Sequence, residues 1–110
     1  TFTDRVMPYS SISLRQLLVA QARDSMQASL PGWLDDFVDA DRRARGRLRE
    51  TLSAYADADM NVLQAAKQLS VHPNTVYARA QKIADITGKS LLNYHDLTEL
   101  LLAMECHVDR

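Results

Sequence analysis

The segment 61–87, NVLQAAKQLSVHPNTVYARAQKIADIT, constrains the fold of this chain more than any other stretch. It reads as two short helices joined by a tight turn. Asn61 is a good N-cap and Gln64 stands three residues on, which is capping-box spacing. The first helix is therefore expected from about Val62 to Leu69. Ser70, Val71 and His72 form the turn. Pro73 suits the first position of the second helix, where its missing N–H would have no partner anyway. Gly88 supplies a C′ residue, so the second helix is expected to span Pro73 to Thr87.

Apolar spacing says how the pair packs. Leu63, Ala66 and Leu69 are expected on one face of the first helix, with Val71 plugging the corner. Val76, Ala80 and Ile83 follow an i, i+4, i+7 pattern on the second. This is the sequence form of a helix-turn-helix, whose second helix lies in a DNA major groove. With Val76 pointing to the core and about 100° per residue, Asn74, Ala78 and Gln81 point away from it. Thr75, Tyr77 and Lys82 flank them, and Arg79 lies nearer the core boundary. Asn and Gln match the edge of adenine, and Lys and Thr suit phosphate. Asp85 is the one acid in this helix.

The rest of the chain points to an all-α fold. Spacings of three and four recur and no run alternates as a strand would. The 110 residues make one small domain, or a small domain plus part of a neighbour. No apolar run has membrane-spanning length, and no signal peptide is seen. The chain begins at Thr1, not Met, and is expected to be a fragment of a longer protein. A single cysteine, Cys106, rules out an internal disulfide and fits a reducing cytoplasm.

A net charge of −1 argues against nucleic acid, but its distribution argues the other way. Residues 1–41 hold three basic and six acidic side chains. Residues 42–60 hold five and three, residues 61–90 four and one, and residues 91–110 one and four. The middle of the chain is thus +5 between two acidic ends of −3 each. Non-specific DNA affinity depends on the local field at the phosphates, so this segregation outweighs the total.

Taken in order, residues 1–12 have no periodicity and read as a tail or linker. Ser13 with Gln16 forms a capping box, and Ile12 with Leu17 a hydrophobic staple. A helix is expected over about Leu14 to Ala28, with Leu14, Leu17, Leu18 and Ala22 as its apolar face. Leu30-Pro31-Gly32 breaks it. A short apolar helix with Trp33, Leu34, Phe37 and Val38 precedes the acidic stretch 39–41. Asp41 is expected to cap a helix over about Arg42 to Ala56, with Leu48, Leu52 and Tyr55 inward. Five arginines, Arg42, Arg43, Arg45, Arg47 and Arg49, crowd its first half, spread around the helix rather than in a stripe. Some suit phosphate and others suit Asp35, Asp36 or Asp39. The last helix is expected to be capped by Asn93, with Asp96 at its third position and Leu92 stapled to Leu97. Leu97, Leu100, Leu101 and Met104 form its apolar stripe.

From Leu48 onward the chain resembles the C-terminal DNA-binding domain of PucR/CdaR-type bacterial transcriptional regulators. The matching residues are Leu48-x-x-Thr51-Leu52-x-x-Tyr55, Asn61, Ala65-Ala66-x-x-Leu69-x-Val71-His72-x-Asn74-Thr75-Val76, Arg79-x-x-Lys82-Ile83 and Gly88. A generic helix-turn-helix does not require the Val71-His72-x-Asn74-Thr75 string. The family usually has Tyr-Arg-Leu where this chain has Ala78-Arg79-Ala80. Ala78 removes a large side chain from the outward face, and Ala80 thins the core. The resemblance implies an upstream region that senses an effector. Residues 1–40 would then be a helical linker or the tail end of a preceding regulatory domain, and 41–110 the helix-turn-helix domain.

These readings define the expected site: His72, Asn74, Thr75, Tyr77, Ala78, Arg79, Gln81 and Lys82, set against double-stranded DNA. Each has a plainer alternative. Asn74, Thr75, Gln81 and Lys82 could be a solvated helix face. His72 could touch phosphate or close the helix locally. Arg79 could reach phosphate or form an internal ion pair, and Tyr77 could stack on sugar-phosphate or pack inward. His95, Cys106 and His107 fit no standard metal spacing. No cofactor motif, nucleophile triad or paired-carboxylate site is evident, so neither a cofactor nor enzyme activity is expected. A homodimer is expected through the apolar face of segment 14–38 (Leu14, Leu17, Leu18, Trp33, Leu34, Phe37). The rival from another class is a helical protein-docking module without DNA specificity.

Overall fold

The structure, a computed structural model, describes residues 13–25 and 30–107. Its order is α1 (Leu14–Ser25), α2 (Gly32–Arg43), α3 (Arg47–Asp57), α4 (Val62–Leu69), α5 (Pro73–Thr87) and α6 (Tyr94–Cys106). No strand occurs among the described residues. The fold is all-α, as the apolar spacing requires.

One cluster joins α2 through α6: Phe37 from α2, Leu48, Leu52 and Tyr55 from α3, Ala65 from α4, Ala80 and Ile83 from α5, and Leu97 and Leu100 from α6. Each large apolar side chain buried here contributes about 1.5–3 kcal/mol. A smaller cluster of Leu34, Val38 and Ala103 ties α2 to α6. α5 is embraced by α2, α3 and α4, which fixes its axis, while α1 packs on α6.

Local signals formed as their chemistry dictates. Gln16 N donates to Ser13 Oγ at 3.1 Å and Ser13 N donates to Gln16 Oε1 at 2.8 Å, both limbs of a capping box. Asn61 Oδ1 accepts from Gln64 N at 3.0 Å, and Asn93 Oδ1 from Asp96 N at 3.0 Å. The return limbs are spent elsewhere. Asn61 N donates to Ala58 O, and Asp96 accepts from Ser90 N. Gly88 closes α5 with φ +74°, a left-handed conformation that costs glycine nothing.

Several expectations are corrected. The helix expected from Arg42 begins at Arg47, because α2 runs on through the acidic stretch to Arg43. Asp41 does cap the later helix, but from inside the last turn of α2. It is buried, and its Oδ1 accepts from Leu48 N at 3.0 Å and Arg49 N at 2.9 Å. The reversal between the helices needs positive φ at Arg45 (59°) and Gly46 (80°). α1 ends at Ser25, and residues 26–28 of its expected range lie outside the described residues, as do residues 1–12 with the Ile12 half of the staple. On α4, Leu63 is 64% exposed, and Ala65 takes its place beside Ala66 in the interior. Leu92 is half exposed, whereas Leu91, unremarked in the sequence, is fully buried. Leu34 and Phe37 are core residues of this chain, so they cannot belong to an exposed dimer face.

Candidate nucleic-acid interface

α5 presents its outer side because its inner side is claimed. Val76, Ala80 and Ile83 are buried, as the helical wheel requires. Asn74, Ala78, Gln81 and Lys82 are exposed, Tyr77 is half exposed, and Thr75 and Arg79 are partly buried at the flanks. Small residues let α4 cross α5 closely: Ala65 and Ala66 are both buried. Ser70 caps α4 in the left-handed region (φ 57°), and Val71 N donates to Ala66 O at 3.0 Å, closing the turn. Val71 is only partly buried and lines the surface recess between α4 and Pro73 rather than filling the core.

His72 is the N-cap of α5, and its Nδ1 accepts from Asn74 N at 3.0 Å. The local role is therefore real, and it leaves Nε2 as the ring's other nitrogen at an exposed residue. Gln81 Nε2 donates to Asp85 Oδ1 at 2.9 Å, one helical turn away. That bond orients the amide and was readable as an i, i+4 pair. Arg79 forms no ion pair with a carboxylate among the described residues; its Nη1 donates to Thr51 Oγ1 at 3.2 Å. Tyr77 lies close enough to α3 to affect Tyr55, whose phenol is pushed above its ordinary range by burial and secondarily by Tyr77. Thr51 and Asp85 both act on expected site residues and were not among them.

The positive middle of the chain is thinner than its total. Lys89 binds Glu99 on α6 at 2.9 Å, and that hydrogen bond raises the lysine's pKa. Arg42 pairs with Asp39 at 3.5 Å. Arg49 lines a cavity of about 490 Å³ between α1, α3 and α6, to which α5 contributes nothing. Lys82 and Arg79 on α5, with Lys67 on α4, are left as the cations of the two-helix unit without a carboxylate partner among the described residues. No group of three or more His, Cys, Asp or Glu among the described residues could hold a metal, and none of their helices is long and apolar enough to cross a membrane.

A closely crossed helix pair with a polar outer face on its second helix defines a helix-turn-helix domain of the DNA-binding class. Residues 48–106 match the model of the PucR C-terminal helix-turn-helix domain, and the chain belongs to that family. It is 34% identical to the carbohydrate diacid regulator of Escherichia coli over 65 residues, covering 59% of this chain and 17% of that protein. It is 39% identical to the purine catabolism regulatory protein of Bacillus subtilis over 57 residues, 52% of this chain and 11% of that one. Similarity to the B. subtilis DNA-binding transcriptional activator AdeR is 28% over 109 residues, 97% of this chain and 26% of the relative. The chain thus spans about a quarter of the length of these relatives or less. No solved structure matches it.

Proposed function

We propose that this chain is the output module of a cytoplasmic bacterial transcriptional regulator and binds specific double-stranded DNA with α5 in the major groove. The observation that carries the reading is the α4–α5 unit itself, whose outward polar face is left unpacked by the rest of the domain. Asn74 and Gln81 read base edges, Lys82 and Thr75 take phosphate, and His72 sets the start of the helix. Ala78 leaves space where relatives of the PucR/CdaR type carry a larger side chain, so the preferred sequence differs from theirs. Family membership and the names of the relatives support regulation of transcription, with an effector-sensing region upstream in the same polypeptide. Burial of Phe37 and Ala40 in the shared core supports counting α2 with the helix-turn-helix domain of residues 41–110. The apolar residues left exposed on α1, Leu14, Leu17 and Leu18, support a homodimer.

The test is selection of the chain on random duplex DNA at two salt concentrations, followed by sequencing. An enriched motif lost in Asn74→Ala is the expected result. Weak, motif-free binding that vanishes at the higher salt would instead favour a protein-docking role.

A further inference from the structure

Thr51 sits on α3 with no exposure to solvent. Its hydroxyl proton is committed to Arg47 O at 2.7 Å, the back-bond to the preceding turn that threonines make inside helices. The oxygen is thereby left as an acceptor, and it receives Arg79 Nη1 from α5 at 3.2 Å. One bond holds the guanidinium against a buried point on another helix.

The charge balance at Arg79 is incomplete. A partly buried charge is costly unless it is paired. Arg15 has Glu105, Arg42 has Asp39 and Lys89 has Glu99. Arg79 has a hydroxyl dipole and, among the described residues, no carboxylate. A guanidinium carries five N–H donors in a rigid planar fork that matches an oxyanion bidentately. Thr51 occupies one of them. An anion would match the rest of that fork, and Arg79 stands at the flank of the face that α5 turns outward.

We propose that Thr51 is a positioning residue, holding Arg79 so that the rest of its fork takes a backbone phosphate of duplex DNA. The inference rests on the DNA-binding reading above. Thr51 never touches DNA. It restricts the rotamers of a long side chain before binding, so less freedom is lost on contact.

The test is titration of the whole chain with its selected duplex over a range of salt, with thermal unfolding of each variant alongside. Arg79→Ala should weaken binding about tenfold and lower the salt slope by about one. Thr51→Val keeps the shape, loses the hydroxyl and should weaken binding about threefold, while Thr51→Ser restores it. In the Thr51→Val background Arg79→Ala should cost less than in wild type, because the two act through one contact. Should Thr51→Val unfold, Arg79→Lys decides: the charge stays, the fork goes, and binding should weaken with the salt slope retained. Wild-type affinity for a folded Thr51→Val, or for Arg79→Lys, overturns the proposal, as does an unchanged slope in Arg79→Ala. A wild-type chain that selects no motif overturns the DNA reading and this inference together; a wild-type motif with a silent Thr51 overturns this inference alone.

Discussion

His72 resolves two roles that look like alternatives in the sequence. Because Nδ1 accepts the Asn74 N–H, that nitrogen carries no proton, and a neutral ring keeps its hydrogen on Nε2. Cap and phosphate contact therefore use different atoms and can coexist. His72→Ala should cost about 1 kcal/mol of stability, the usual worth of an N-cap, read from urea unfolding. His72→Asn restores a capping oxygen and should recover that loss. If it recovers DNA affinity as well, the ring contributes only the cap. Gln81 shows the same economy. Asp85 holds its amide, so under the proposed reading Gln81 would meet a base with its orientation already chosen. Asp85→Ala should broaden the selected motif at one base pair, and an unchanged motif would remove Gln81 from the reading residues.

At the scale of helices, close approach of α4 to its neighbours depends on two alanines. Ala65 is fully buried, and Ala66 nearly so. Ala65→Leu forces extra methylenes into a filled site and should destabilise by about 1–3 kcal/mol. Leu63→Ala, at a position 64% exposed, should stay within about 0.5 kcal/mol. Chemical denaturation of the pair checks which face of α4 is inside; equal losses would put both residues in the core. The sequence was ambiguous here because VLQAAKQL offers apolar residues on adjoining faces. Caps were legible because each involves residues no more than three apart, as at Ser13, Asn61 and Asn93. The outward side of α5 was legible because Val76, Ala80 and Ile83 leave one inner side. The α2–α3 boundary was not. It depends on Asp41 reaching backbone seven and eight residues ahead and on two consecutive left-handed residues. For the site, exposure could be read from the wheel, but the Arg79–Thr51 bond spans 28 residues and no spacing rule finds it.

The whole molecule has a sparse positive surface for a DNA binder. Two of the three acids of α6 answer cations from elsewhere: Glu99 holds Lys89, and Glu105 holds Arg15 at 2.6 Å. Few cations remain for phosphate around α4 and α5, and each phosphate neutralised gives a salt slope of only about 0.9. One copy should bind weakly, and two linked copies on paired half-sites gain through effective concentration. In the proposed homodimer, α1 would link them. Arg15 and Arg23 pin it to Glu105, the latter through the backbone carbonyl at 2.7 Å. Its leucines stay outside, with Leu14 71%, Leu17 51% and Leu18 59% exposed. Paired half-sites one helical turn apart, about 34 Å, are the expected operator geometry. Leu17→Glu with Leu18→Glu should convert a dimer to a monomer in light scattering. Affinity for the paired site should fall by about a hundredfold, and that for a single half-site should stay as it was. The monomer should stay folded, since neither side chain is in the core, with an unfolding midpoint equal to that of wild type diluted until it dissociates. A wild-type chain that scatters as a monomer at high concentration, yet binds the paired site as tightly as the dimer model requires, would leave α1 without this role.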